Sequence, residues 1–416
     1  MELKPGYKQT EVGVIPEEWE VSTVGREFEI KLGKMLDAEK NVGVPKPYLG
    51  NKALQWDRID VSDLPTVLMS RADIKRFRLR RGDLLVCEGG EVGRAAIWQA
   101  PIEECYYQKA LHRLRPLRGF DSRLMVALLR QWSDRGLLAN YVTQTSIAHL
   151  PREKFVEVPL PVPPQLEQRA ISGVLSDVDE LIGALEQLIA KKRDLKRAAM
   201  QQLLTGQTRL PGFHGEWRVK RLRELGSTYG GLIGKTKSDF GEGSALYITF
   251  MNIITNVVID PDTFERVKVL PTEAQNKVMK GDLFFNGSSE TPEEVGMCAV
   301  LLDDPQKVFL NSFCFGYRFR EGAETDGLYL AYYFRSSEGR ELLYSLAQGA
   351  TRYNLSKRSL LRLKFPLPLL PEQTAIAEVL SDMDVELAAL EQHRDKTLAL
   401  KQGMMQELLT GRTRLV

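Results

Sequence analysis

Apolar residues recur at alternating steps of three and four along one stretch of the chain: Ile171, Val174, Val178, Leu181, Leu185, Leu188 and Leu195, with Lys192 interrupting the row. That spacing is a heptad seam and predicts an α-helix running to about Leu204. A second stretch keeps the pattern less strictly, at Leu380, Met383, Leu387 and Leu390, then Thr397, Met404 and Leu408. Gly206 and Gly411 stand where a C′ glycine would end each helix. About 38 residues at 1.5 Å each give a rod of roughly 57 Å. Such a seam needs an apolar partner, and the second copy in the same chain supplies one. Each Leu or Ile buried there is worth about 1.5–3 kcal/mol before entropy. The alternative is that each helix packs on its own globular unit, which a rod of this length would overshoot.

Shorter apolar runs predict strands. Leu84-Leu85-Val86-Cys87 follows Arg81-Gly82-Asp83, and Leu283-Phe284-Phe285 follows Lys280-Gly281-Asp282. Gly-Asp before a short apolar run reads as a turn feeding a buried strand. A polar loop follows each: Glu88-Gly89-Gly90-Glu91-Val92-Gly93 and Asn286-Gly287-Ser288-Ser289-Glu290-Thr291. Helical patterns span 122–136 and 328–345. Proline-punctuated strips over 158–164 and 365–371 are extended, because proline removes a donor and biases the preceding residue away from α. Glu167-Gln168 and Glu372-Gln373 follow the strips, where acids suit a helix N-terminus.

These features come in pairs. Residues 161–210 align with 366–415 without a gap, at an offset of 205 (366 − 161), and about half the aligned positions are identical. The stretch from Ile15 to Val21, with Trp19 at its centre, is echoed by 212–219 around Trp217. The chain is two similar halves in tandem: a globular domain over 1–160, a spacer helix over 161–210, a second domain over 211–365 and a second spacer over 366–416. The expected fold is mixed α/β, with two globular domains separated by two long antiparallel helices in an intramolecular coiled coil. Antiparallel helices would give a pseudo-twofold with the globular domains at opposite ends.

Composition bounds the function. With 416 residues, 43% hydrophobic and 27% charged, the chain resembles ordinary soluble globular proteins. No secretion signal opens the sequence and no window is apolar enough for a membrane span. Cys87, Cys105, Cys298 and Cys314 are widely spaced with no CxxC pair, so a zinc site is not expected and a reducing cytoplasm is. The net charge of +2 leaves room for local basic faces. Candidates are Arg71, Lys75, Arg76, Arg78, Arg80 and Arg81 in the first half, and Arg352, Lys357, Arg358, Arg362 and Lys364 in the second.

A catalytic constellation is not found. Gly234-Lys235-Thr236 has the ending of a phosphate-binding loop, but Tyr229 stands where its first glycine belongs. There is no Asn-Pro-Pro-Tyr or Asp-Pro-Pro-Tyr run, and Pro261-Asp262 with Glu265 and Lys268 has the wrong spacing for a nuclease. No nucleophile elbow or dinucleotide-binding glycine pattern occurs.

Taken together, the opening GYKQTEVGVIPEEWEV, the Gly-Asp strands and loops, the proline strips before Glu-Gln and the paired LLTG-x-TRL endings resemble the specificity subunits of type I restriction–modification systems. The likeness covers essentially the whole chain. It departs in the second helix, where Glu386, His393 and Glu407 fall on an alternative seam register. The resemblance implies two target-recognition domains, each reading one half of a split site in double-stranded DNA. It implies helices that set the spacing and dock two methyltransferase subunits, with restriction subunits joining for cleavage. It implies no cofactor on this chain, S-adenosylmethionine on the methyltransferase partner, and ATP and Mg on the nuclease partner.

Phosphate contacts need Lys, Arg or exposed amides, and base edges need Arg, Asn, Gln or Glu. The polar loops offer Glu88, Gly90, Glu91 and Arg94, then Asn286, Ser288, Ser289, Glu290 and Thr291. Gln108 and Lys109 match Asn311 in place, and Lys31, Lys34, Lys235 and Lys237 lie near the start of each domain. Two other readings compete: a coiled-coil scaffold for protein partners without nucleic acid, and a self-sufficient enzyme.

Overall fold

Each strand that leaves a Gly-Asp turn is buried on both faces, because side chains alternate and each face finds its own partner. The computed structural model describes residues 5–37, 39–144, 148–349 and 351–415. They form two compact units: Met1–Glu186 with His393–Val416 (unit 1), and Gln187–Gln392 (unit 2).

Unit 1 contains β1 (Phe28–Leu32), β2 (Val44–Leu49), β3 (Thr66–Met69), α1 (Arg71–Phe77), β4 (Leu84–Cys87), β5 (Ala95–Ile97), β6 (Tyr106–Tyr107), β7 (Leu111–Pro116) and α2 (Ser122–Asp134). An antiparallel sheet has the order β5-β4-β7-β1, and a smaller one the order β6-β2-β3 with β6 parallel to β2. Leu84, Val86 and Leu114 pack with Leu124 and Leu128 of α2. Leu85 and Cys87 turn the other way, onto Leu49, Met69, Trp98 and Tyr106.

The long helix α3 (Gln165–Leu203) contributes its first part to unit 1 and its last part to unit 2. Unit 2 then repeats the plan with β8 (Gly226–Gly230), β9 (Phe240–Ile248), β10 (Glu265–Val267), β11 (Leu283–Asn286), β12 (Cys298–Val300), β13 (Val308–Leu310), β14 (Cys314–Phe319) and α4 (Gly327–Arg335). Its sheets have the orders β12-β11-β14-β8 and β13-β9-β10, with β13 parallel to β9. Leu283 and Phe285 face Tyr329, Tyr333 and Phe334, while Phe284 faces Ile248 and Leu310. The second long helix, α5 (Leu370–Leu408), begins in unit 2 and ends in unit 1. The helical pattern over 328–345 is broken at Ser336, whose extended backbone ends α4 and whose Oγ caps the following helix at the N–H of Gly339. All four cysteines are buried and unpaired, and burial pushes their thiols up.

The proline strips are edge strands. Pro159–Val162 pairs with Glu20–Thr23, and Lys364–Leu367 pairs with Arg218–Arg221. This explains why the sequence around Trp19 recurs around Trp217: each segment is the docking strand for its unit's strip.

The Glu-Gln pairs fasten the long helices. In unit 1 Glu167 is fully buried and accepts hydrogen bonds from Trp19 Nε1 at 2.9 Å and Arg414 Nε at 2.6 Å. In unit 2 Arg209 grips Glu372 with two nitrogens, Nη2 to Oε2 at 2.6 Å. The arginine of each TRL ending therefore holds the glutamate that opens the other long helix. Gln168 Oε1 accepts from the N–H of Asp121 at 2.9 Å, and Gln373 Oε1 accepts from the N–H of Asp326 at 2.9 Å. Asp121 and Asp326 are in turn the N-caps of α2 and α4.

Within each unit the helical segments run antiparallel. Lys401 meets Asp179 at 2.5 Å in unit 1, where Arg414 meets Glu167; Arg193 meets Glu391 at 2.5 Å in unit 2, where Lys196 meets Asp384. In both, numbers rise along one segment as they fall along the other. The seam of α3 differs from the sequence expectation. Ile171, Leu175, Ile182, Leu185 and Ile189 are buried, and Val174 and Val178 are half-buried. Leu181, Leu188 and Leu195 are exposed. Two heptad rows share Ile171, Val178 and Leu185, so spacing alone does not choose between them. The choice falls to what the helix must also cover: Ile171 and Leu175 close the unit 1 core beside α2. On α5, Leu380 and Leu387 are buried, and Met383 and Leu390 are half-buried.

Gly206 and Gly411 lie just beyond the helices at φ of +73° and +67°, in the left-handed region. Each also lies against a ring, Gly206 on Trp217 and Gly411 on Trp19, where a side chain would intrude.

Candidate nucleic-acid interface

The loop after β4 is held open by its own polar groups. Gly90 and Gly93 take φ of +79° and +87°, which L side chains rarely adopt. Arg94 lies beneath, donating to Glu91 at 2.7 Å and to the carbonyl of Asn51 at 2.9 Å. Asn51 donates to the carbonyl of Gly89 at 2.9 Å. Gln108 packs on Gly50, its backbone bridges to Lys34, and the N–H of Lys109 donates to the carbonyl of Lys34. The structure thus brings Lys34, Gln108, Lys109, Glu88, Gly90, Glu91 and Arg94 into one neighbourhood. Lys31 lies earlier on β1 and pairs with Glu29 at 2.6 Å.

Not all of these side chains are free. Lys34 is mostly buried and pairs at 3.1 Å with Asp73, which also closes the capping box of α1. That hydrogen bonding holds the Asp73 carboxyl below its usual range. Gly90, Glu91 and Lys109 are exposed, and Glu88 and Gln108 are half-buried. His149 was not singled out from the sequence; its Nδ1 lies 3.8 Å from Glu88 Oε2, and its ring covers Gly89. Asn51 and His149 come from remote segments with no pattern around them, so only the fold could reveal them.

The equivalent loop of unit 2 uses different chemistry on the same scaffold. Asn286 is fully buried and donates to the carbonyl of Glu294 at 2.9 Å. Ser289 donates to the Glu294 carboxylate at 2.7 Å. The short strand Ser288–Ser289 pairs with Tyr353–Leu355. Glu290 and Thr291 are exposed. Lys235 is buried against Glu273 at 2.5 Å, whereas Lys237 is exposed on a short 3₁₀ turn. Asn311 receives the N–H of Phe313, and Phe313 is exposed with Arg352 over its ring at 5.8 Å. The basic stretch holding Arg352 was visible in the sequence, but its approach to Phe313 was not.

His112 on β7 links the unit 1 loop to its support. Its Nε2 donates to the carbonyl of Leu150 at 2.8 Å, and the N–H of Leu150 donates to the carbonyl of Glu88. Burial lowers the His112 pKa from 6.5 to about 4. The folded state therefore binds fewer protons than the unfolded state between those values, so stability falls as pH drops from 6.5 and levels out below 4. The expected loss is about 3 kcal/mol. Denaturant melts of wild type and His112→Gln at pH 7 and pH 4.5 check this; Gln keeps a donor for Leu150 and should flatten the difference.

Two copies of one scaffold, each carrying its own polar loop, define a two-module recognition protein. A family model, the type I restriction modification DNA specificity domain, matches residues 16–192 and again 214–400. The chain belongs to that family and carries its domain twice. It is 25% identical over 420 residues to the type I restriction enzyme MjaVIII specificity subunit of Methanocaldococcus jannaschii, covering 96% of this chain and 94% of the relative. Among solved structures, the type I restriction-modification system S subunit from M. genitalium superposes with a TM-score of 0.58 at 16% identity, covering 98% of both chains. A chain from a study of complex assembly and conformational transition of the type I R-M system superposes with a TM-score of 0.60 at 19% identity, covering 96% of this chain and 99% of its own. These likenesses establish the shared fold.

Proposed function

We propose that this DNA-specificity subunit reads a bipartite duplex target, one half-site per unit, and delivers it to partner subunits that do the chemistry. The observation that carries the reading is the pairing of sheets of the same strand order with unlike loops. The strand orders match, while Glu88–Arg94 presents carboxylates and an arginine staple and Asn286–Thr291 presents amide and hydroxyl groups. Different donors and acceptors read different base edges, so the half-sites differ. Glu91 and Lys109 in unit 1, and Lys237, Glu290 and Thr291 in unit 2, are exposed polar side chains of the candidate loops and take the direct contacts. Lys34, Arg94, Lys235 and Asn286 act behind them by fixing loop shape.

The long helices carry the partners. Leu188 and Leu195 leave apolar side chains exposed on α3, as Val385 does on α5. These suit a methyltransferase subunit, which would bring S-adenosylmethionine; restriction subunits with ATP and Mg would join for cleavage. On this reading the chain itself neither methylates nor cuts.

Anisotropy titrations of the chain with its methyltransferase partner on fluorescent duplexes test the reading. Log affinity should fall linearly with log salt, at a slope near −0.9 per phosphate contact. A flat response, or no duplex binding, would favour the protein scaffold instead. Methylation or cleavage by the chain alone would overturn the division of labour.

A further inference from the structure

We infer that unit 1 carries a phosphate anchor of the protein, an arginine-lined cleft whose counterpart in unit 2 is closed. The inference rests on the DNA reading above and assigns it to a specific surface.

The cleft lies between α1 and the strands β1 and β7, and encloses about 440 Å³. Among its lining residues Ile74 alone is uncharged; the rest are lysines and arginines, Lys31, Arg71, Lys75, Arg76 and Arg113 among them. Two carboxylates answer part of this charge. Glu29 receives Lys31 at 2.6 Å and Arg113 at 2.7 Å, and those cations hold its carboxyl below the usual range. Asp83 is gripped by Arg115 with two nitrogens, at 2.5 and 2.8 Å. Arg71, Lys75, Arg76 and Arg80 have no carboxylate partner among the described residues. Arg113 is 2% exposed, and its Nε has no hydrogen-bond partner.

So many like charges in one cleft repel one another, and a bound anion relieves that repulsion. A cleft lined by one sign of charge also focuses its field on an arriving counter-ion. Arginines predominate, and a guanidinium fork matches a phosphate's oxygens. Arg71 and Lys75 are four residues apart on α1, so they project side by side. The occupant is a duplex backbone beside the half-site that unit 1 reads. Lys31 belongs to the cleft, and just beyond the end of β1 lies Lys34, whose backbone joins Gln108 and Lys109 in the reading loops.

Unit 2 closes the same place. Strand pairing sets Arg113 opposite Lys31 in unit 1, and Gly316 opposite Tyr229 in unit 2. The Tyr229 ring lies across Gly316, its hydroxyl donates to Asp282 at 2.6 Å, and Arg318 sits 4.9 Å from its centroid. An aromatic plug replaces two cations. The segment over 70–82 holds six Arg and Lys residues, whereas 270–281 holds two, Lys277 and Lys280.

The test is the salt dependence of duplex binding by the full chain with its methyltransferase partner. Arg71→Gln with Lys75→Gln should make the log–log slope shallower by about 1.8, so the wild-type advantage shrinks about tenfold between 50 and 200 mM salt. The methylated sequence should not change. Arg135→Gln with Lys154→Gln, exposed cations elsewhere in unit 1, matches the charge change and should keep the wild-type slope. Melting curves confirm that both variants fold; glutamine is a good helix former. A slope equal to wild type in the cleft variant overturns the inference while leaving the DNA reading intact. A free anion could offer the same phosphate chemistry, so wild type and variant are also melted with tripolyphosphate. Stabilisation lost in the variant, with the DNA slope unchanged, would assign the cleft to a free anion and overturn the inference. No duplex binding by wild type would overturn both readings.

Discussion

Lengthening both long helices by four residues, between Glu186 and Gln187 and between Gln392 and His393, should abolish modification of the original target and create a new one with a wider gap. These points are where unit 1 gives way to unit 2 along α3 and α5. Insertion there leaves the contacts inside each unit alone: Lys401 with Asp179 and Arg414 with Glu167 in unit 1, and Lys196 with Asp384 and Arg209 with Glu372 in unit 2. Four residues add about 6 Å and just over one helical turn, leaving a residual rotation of about 40°. At 3.4 Å per base pair that is one to two extra pairs in the gap. Affinity for the original site should drop by at least about 10³-fold, towards non-specific binding. Sequencing modified adenines after methylation by the altered complex reads the result. Unchanged half-sequences with a longer gap support the helices as spacers; altered half-sequences show that they also shape the reading loops.

Removing the clamp at the start of α3 should have the largest effect on stability. Arg414→Ala leaves the fully buried Glu167 carboxylate with Trp19 as its remaining side-chain donor. Breaking a buried ion pair from one side costs about 3–5 kcal/mol. Glu167→Gln should cost less, because an amide oxygen still accepts from Trp19 and the partly exposed Arg414 can be hydrated. Guanidinium melts of the two variants give the order directly. Equal losses would mean that the pair contributes through packing rather than charge.

Much of this architecture could be read from the chain because it rests on local rules stated twice. The 50-residue repeat, the glycines at 206 and 411 and the proline strips marked both helices to within a few residues of Gln165–Leu203 and Leu370–Leu408. The Gly-Asp turns placed β4 and β11, because a turn followed by an apolar run has few other outcomes. The seam of α3 was harder. Its two candidate rows share residues, and the packing of Leu175 into the unit 1 core decides between them. The Glu-Gln pairs suggested helix starts, but their partners Arg209 and Arg414 are more than 160 positions away. In the candidate interface, residue type picked out the loops but not the state of each side chain. Lys34 and Lys235 look like surface cations in sequence, but their side chains are ion-paired and largely covered in the fold. Asn51 and His149 reach the Gly89 loop only through tertiary structure.

Two unlike reading heads in one chain should specify one split target. Mapping every modified adenine in DNA methylated by the complex tests it most directly, with the Glu88–Arg94 and Asn286–Thr291 loops altered in turn. Two half-sequences across an unspecified gap, with each loop change altering one half only, is the predicted outcome. A single continuous motif, or one loop change rewriting both halves, would contradict it.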